Sequence, residues 1–179
     1  TLAGDFDSDE CTLMSFSREM TDAEIADMWN RSGKRAANEG TEAHYLAELY
    51  FNGLPTRWWE PEMQTVMEFA HTHLIPNGMV AHNTEKEIVC QDADVAGSID
   101  LIVFDPSRNQ HHIIDHKRTA KLPLREYSRM LEPFDHLDAC KGAAYALQTS
   151  IYQYILERDY GMSIGDRILL CMHCLLYTS

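Results

Sequence analysis

Two short apolar runs, each interrupted by one carboxylate, constrain this chain more than any other feature. Gly97-Ser98-Ile99-Asp100-Leu101-Ile102-Val103-Phe104 and Ile113-Ile114-Asp115-His116-Lys117 have the length and side-chain character of strands inside a sheet. Side chains two apart on a strand share a face, so Asp115 and Lys117 point the same way. A core strand has no use for charge unless that charge is paired or holds a metal. Two acids on neighbouring strands repel unless a cation or a proton lies between them. With a lysine alongside, the pattern suits a divalent cation held next to a phosphodiester.

The chain of 179 residues is long enough for one domain with a real core, and two would be cramped. No run is long enough to span a bilayer, and residues 1–10 are acidic rather than a basic stretch leading into an apolar one. An intracellular, non-membrane, non-secreted protein is therefore expected. The net charge of -13 speaks against a general nucleic-acid binder, but its distribution matters more. Asp5, Asp7, Asp9, Glu10, Glu19, Asp22, Glu24 and Asp27 face one base, Arg18, at the start of the chain. By contrast Lys117, Arg118, Lys121, Arg125 and Arg129 follow one another with only Glu126 among them, starting at the proposed site. Five cysteines (Cys11, Cys90, Cys140, Cys171, Cys174) form no disulfide framework and suit a reducing compartment. The closing Cys174-Leu175-Leu176-Tyr177-Thr178-Ser179 is what the end of a transposon-based sequencing adapter encodes. The expected division is an acidic leader over 1–20, one domain over 21–173 that is cut short at its C-terminal side, and non-native read-through over 174–179.

Thr21-Asp22-Ala23-Glu24 is a capping box, and a helix is expected through Ile25, Met28 and Trp29, interrupted near Gly33. A second helix over 42–51 would end at Asn52-Gly53, with His44 and Glu48 one turn apart on it. A third is expected over 61–74, stopped by Pro76-Asn77-Gly78. Strands are expected over 85–90, 95–104 and 111–117, a long helix over 137–160 closed by Gly161, and a last strand over 168–172. Strands apolar on both faces belong at the centre of a sheet covered by helices, which gives an α/β core.

Hydrolysis of a phosphodiester needs an activated water and relief of negative charge, both of which a divalent metal provides. Mg²⁺ takes oxygen ligands and keeps several waters, so Asp100 and Asp115 suffice as protein carboxylates, and the backbone carbonyl of His116 adds a third oxygen. His44 offers a nitrogen that favours Mn²⁺ tolerance. Lys117 would orient the water or stabilise developing charge. The set resembles the PD-(D/E)XK nuclease superfamily, and within it the RecB-like exonuclease branch. The resemblance rests on His44 in Gly40-Thr41-Glu42-Ala43-His44, Asp100 in Gly97-Ser98-Ile99-Asp100, the triplet Asp115-His116-Lys117, and Gln148-Thr149-Ser150-Ile151-Tyr152, in the family's order. Each motif alone is weak; their order on the expected elements carries the likeness.

The resemblance implies a restriction-endonuclease-like core, a mixed sheet flanked by helices in the order α-β-β-β-α-β. It implies a Mg²⁺- or Mn²⁺-dependent deoxyribonuclease in repair, recombination or replication, an exonuclease on DNA ends or single strands, with a fused or associated helicase as a partner of the branch. Asp100, Asp115 and Lys117 would be catalytic, with His44, Asp100, Asp115 and the His116 carbonyl on the metal. Gln148, Tyr152, Arg118 and Lys121 would organise the site and the DNA, and Glu48 and Glu87 would stand behind the ligands. The competing class is a non-catalytic DNA-binding or scaffold module of a helicase–nuclease assembly, and an RNA substrate is not discriminated. Some family members carry an iron–sulfur cluster. Cys11 stands where a first ligand would, but no cluster is supported within this sequence, and Cys90 and Cys140 read as buried small hydrophobes. His71, His73, His82, His111 and His112 have no ligand spacing and read as surface residues; Trp58 and Trp59 read as core or interface rather than base-stacking groups; Tyr145, Tyr152 and Ile155 read as the packing face of the long helix.

Overall fold

A computed structural model describes residues 21–119 and 122–172. The leader, Cys11, Lys121 and the stretch from His173 onward lie outside the described residues. The chain divides into two units, Thr1–Glu39 and Gly40–Ser179. Helix α1 spans Asp22–Phe51. Its first turn is closed by the expected capping box: the Thr21 N–H donates to Glu24 Oε2 at 2.9 Å, and the Glu24 N–H donates to Thr21 Oγ1 at 3.3 Å. Gly33 does not break the helix as expected. Helical Gly costs about 1 kcal/mol relative to Ala, and the flanking one-turn ion pairs, Asp27–Arg31 at 2.6 Å and Arg35–Glu39 at 2.8 Å, offset part of it.

In the second unit, α1 buries Ala43, Leu46 and Ala47, a spacing that places all three on one stripe. It ends in a Schellman turn: Gly53 takes φ +68°, its N–H donates to the Tyr50 carbonyl, and the Leu54 N–H reaches back to the Leu49 carbonyl. Helix α2 (Pro61–Phe69) starts with proline at its first position and passes into a π turn over Ala70–Leu74 and a 3₁₀ turn over Ile75–Asn77. The span is as expected, but its second half is not α-helical.

Strands β1 (Val80–Cys90), β2 (Val95–Asp105), β3 (Gln110–Lys117) and β4 (Ile164–Cys171) form one sheet in the order β1-β2-β3-β4. The first two pairings are antiparallel and the third is parallel. The parallel step is made by helix α3 (Lys141–Asp159), the crossover such a pair needs. One face of the sheet packs Ile88, Ile99, Ile102 and Ile113 against Tyr152, Ile155 and Leu156 of α3. On the other, Leu101, Val103 and Ile114 meet Ala70 and Leu74, while Leu46, Ala47, Met63 and Val66 cluster with Met172. This is the mixed sheet flanked by helices that the sequence led us to expect.

Further expectations need correction, among them β4, which begins at Ile164, four residues earlier than expected. β1 begins five residues earlier than expected, because Val80 and Ala81 pair with Phe104 and Val103 before a register shift. Helix α3 begins at Lys141, not 137, because the preceding backbone is already bonded: Met130 and Ala139 N–H groups donate to the Leu137 and Ser128 carbonyls. Cys140 is the cap, its sulfur accepting the Ala143 N–H. His112 is not a surface residue; it is buried, and its Nδ1 accepts the Asp166 N–H at 2.9 Å. Of the two readings of Trp58 and Trp59, core or interface, exposures of 62% and 56% remove the core. Cys90 is buried, as expected.

Leu156 is fully buried between α3 and the sheet. Leu156→Ala is expected to lower stability by about 2–5 kcal/mol through lost burial and a residual cavity, read as a shift of the urea midpoint with an unchanged m-value.

Candidate metal centre

The ladder between β2 and β3 stops at the pair Leu101↔Ile114. Beyond it β2 continues only with β1, as far as Val95↔Cys90, and β3 continues only with β4, as far as Lys117↔Cys171. The two central strands therefore part, and the next residues along each are Asp100 and Asp115. The His116 N–H at the fork has lost the strand that would have accepted it. Asp100 supplies the acceptor instead: its Oδ2 takes the His116 N–H at 2.5 Å. Its other oxygen lies 3.3 Å from His44 Nδ1 on α1. One buried carboxylate thus ties α1, β2 and β3 together.

The face alternation of β2 slips at this point. Gly97 and Ile99 face α3, whereas Leu101 and Val103 face the opposite layer, although all four share one parity. Glu85 stands across from Asp100 on β1, between the pairs Thr84↔Leu101 and Lys86↔Ile99, and it has a left-handed backbone, φ +45°. Its Oε1 comes within 3.8 Å of His44 Nδ1. Ligand atoms of His44, Glu85 and Asp100 all lie within 4.8 Å of one another. One nitrogen and two carboxylate oxygens make a donor set that suits a divalent cation.

The charges are arranged accordingly. Burial pushes the Asp100 carboxyl up, but the hydrogen bond and charge of His44, the nearby His116 and its N–H outweigh it and hold Asp100 below its ordinary value. Glu85 goes the other way, raised by burial and by the Asp100 charge against the pull of His44 and Ser98. His44 is raised by its hydrogen bond to Asp100, against burial. Like charges directly across a ladder destabilise it, so a cation shared by Glu85 and Asp100 would relieve a repulsion built into the strand pairing.

Asp115 and Lys117 share the α3 face, as their spacing requires. The Lys117 ammonium is 2.7 Å from Asp115 Oδ2 and 5.0 Å from the centre of the Tyr145 ring. Burial, together with the Asp100 charge, raises the Asp115 carboxyl despite the Lys117 hydrogen bond. His116 turns to the other face, where its ring stacks on Phe51 and meets His44 edge-on. Burial lowers its pKa to about 4, so the ring is neutral.

The remaining expected residues are distributed around this centre. Gln148 Nε2 donates to the Tyr152 hydroxyl at 2.8 Å. A methyl built on Gly97 would sit 2.6 Å from Tyr152 Cε1, so the glycine makes room for the tyrosine. Glu48 is half-buried on α1, and its charge reaches Glu85. Arg118 is directed to α2, its Nε 2.8 Å from Glu62 Oε1. Glu87 is exposed and stands opposite Ser98, two residues beyond the acid that does approach His44. Glu85 was the residue that sequence reasoning missed. The signal was countable: five steps back along each strand from the hairpin pair Cys90↔Val95 lead to Glu85 and Asp100.

The profile of the PD-(D/E)XK nuclease superfamily matches residues 9–173, and the chain belongs to that family. The family places it among the metal-dependent nucleases, hydrolases of phosphodiester bonds. No curated protein and no solved structure gives a significant match to the chain.

The Gly97–Tyr152 contact makes a prediction. Gly97→Ala forces the ring aside and is expected to destabilise by about 1–3 kcal/mol. In combination with Tyr152→Leu the two losses should be less than additive, and a double-mutant cycle of chemical denaturation checks this.

Proposed function

We propose that this protein is a Mg²⁺- or Mn²⁺-dependent deoxyribonuclease of the RecB-like type that degrades DNA from ends or along single strands. The observation that carries the reading is Asp100 at the strand fork, fixed by the His116 N–H while its other oxygen faces His44 and Glu85. A carboxylate locked by its neighbours is a pre-organised ligand. In this reading His44, Asp100 and Glu85 hold the cation, with Asp115 and the His116 carbonyl completing the oxygen set from β3. The bound cation supplies charge neutralisation of phosphate oxygens and a lowered pKa for a coordinated water.

The chain's own groups do the rest. Asp115 holds the Lys117 ammonium in place from one side and the Tyr145 ring holds it from another, so a positive charge stands at the fork with few rotamers open to it. That ammonium is placed to hold the attacking water or to meet negative charge as it develops on the phosphate. The neutral His116 ring stacks on Phe51 on the α1 side of the site. The Gln148–Tyr152 pair presents an amide and a hydroxyl beside the Gly97 strand segment, where polar contacts to a DNA strand would fall. The RecB-like assignment is supported by the order of the four motifs, and exonuclease action follows from that assignment.

Lys117→Met and Asp115→Asn are each expected to lower divalent-metal-dependent cleavage of linear single-stranded DNA by about 10²-fold or more. Lys117→Met keeps the apolar stem, and the unpaired Asp115, already shifted toward protonation, can go neutral, so folding should survive, as circular dichroism would show. Cleavage at the wild-type rate by either variant defeats the mechanism. Glu85→Gln is expected to weaken Mn²⁺ binding in calorimetry at least severalfold, and Glu87→Gln to leave it unchanged. Finally, linear DNA should be consumed while a covalently closed circle is spared; gel analysis of both would distinguish exonuclease from endonuclease action.

A further inference from the structure

Asn52 stands just past the end of α1, at the Gly53 turn. The Glu48 carbonyl accepts the Asn52 backbone N–H at 3.0 Å and a side-chain Nδ2–H at 2.9 Å. A carbonyl can only accept, so the amide nitrogen and not its oxygen faces it. The second hydrogen of that nitrogen is donated to Thr84 Oγ1 of β1, at 2.8 Å. Capping the helix needs only the bond to Glu48. The bond to Thr84 ties α1 to a strand 32 residues further along the chain.

Both ends of the tie adjoin the candidate centre. Thr84 precedes Glu85, whose left-handed backbone (φ +45°) is one that a non-glycine residue keeps only when its surroundings hold it. Ser98 Oγ donates to Glu85 Oε2 at 3.2 Å, while Oε1 comes within 3.8 Å of His44 Nδ1. On α1, Glu48 is one turn from His44 and one turn from Asn52. Burial, the Asp100 charge and, behind them, the Glu48 charge keep the Glu85 carboxyl above its ordinary value. Glu48 and Glu85 repel one another, which works to separate the two elements that have to meet if His44 and Glu85 are to share an ion. An amide-to-hydroxyl bond opposes that separation without adding another charge.

We propose that Asn52 is a positioning residue: through Thr84 it holds α1 against β1 at the separation that lets His44 and Glu85 face a common cation. The proposal rests on the reading of His44, Glu85 and Asp100 as a metal centre, and it names the pair that sets the width of that centre. Neither Asn52 nor Thr84 is a ligand; each acts through the element that carries one. A hydrogen bond exchanged against water adds little to net stability, so loss of alignment can be told apart from loss of folding.

Thr84→Val in the full chain removes the hydroxyl but keeps the branched shape and leaves the helix cap intact. Mn²⁺ binding, read by calorimetry, is expected to weaken about tenfold, with the urea midpoint almost unchanged. Thr84→Ser keeps the hydroxyl and should bind Mn²⁺ as the wild type does, while Asn52→Ala should weaken binding as Thr84→Val does. Asn77→Ala removes a comparable cap, Nδ2 to the His73 carbonyl at 2.7 Å, and should leave the affinity unchanged. The His44 ring resonances of the metal-free protein, compared at one pH, read the alignment without any ion. They are expected to move in Thr84→Val and Asn52→Ala and to stay in place in Asn77→Ala. Unmoved His44 signals in Thr84→Val, or Mn²⁺ binding at full wild-type strength in that variant, overturn the proposal. Signals that move as expected while even the wild-type chain binds no Mn²⁺ uphold the tie and sink the metal centre.

Discussion

Everything around the candidate centre depends on a single hydrogen bond, from the His116 N–H to the Asp100 carboxylate. Strands β2 and β3 run together up to Leu101↔Ile114 and then follow different partners. A buried N–H left without an acceptor at such a fork carries a desolvation penalty of about 1–3 kcal/mol. Asp100 removes that penalty, and the bond adds to the stronger pull of His44 that favours the ionised carboxylate over the effect of burial. The parting of the strands thus creates both the space for a ligand and the anion that would hold it.

The second consequence is that charge becomes concentrated. Asp100 is held ionised by His44 and the fork, and this in turn raises Glu85 opposite it and Asp115 beside it. Lys117 compensates Asp115, and His44 compensates Asp100. Glu85 is left with only the longer His44 contact at 3.8 Å and a Ser98 hydroxyl at 3.2 Å. Glu48 adds a further negative charge near Glu85, so the described residues leave the cluster net acidic, which is the electrostatic sense in which it fits a cation. Membership of the PD-(D/E)XK superfamily agrees with this donor set.

Helix α3 serves the centre from the other side of the sheet. Its Tyr145 touches the lysine, its Tyr152 fills the space that Gly97 leaves, and its Ile155 and Leu156 anchor it in the core. The glycine before the first acid and the tyrosine on the distant helix are one steric unit: a side chain at position 97 and the Tyr152 ring exclude each other.

Much of this was legible in the sequence, because its strongest signals are local. The apolar runs around Asp100 and Asp115 fixed two inner strands, the two-residue period put Asp115 and Lys117 on one face, and the one-turn spacing joined Gln148 to Tyr152. What sequence could not decide was set by pairing and packing between distant segments. Glu85 rather than Glu87 approaches His44 because the pairing of β1 with β2 sets Glu85 opposite Asp100, where its backbone is left-handed. His112 is buried because β4 lies beside its strand, and Arg118 faces Glu62 because α2 packs nearby. Periodicity reports which way a side chain leaves its own backbone; which other backbone it meets is a property of the folded chain alone.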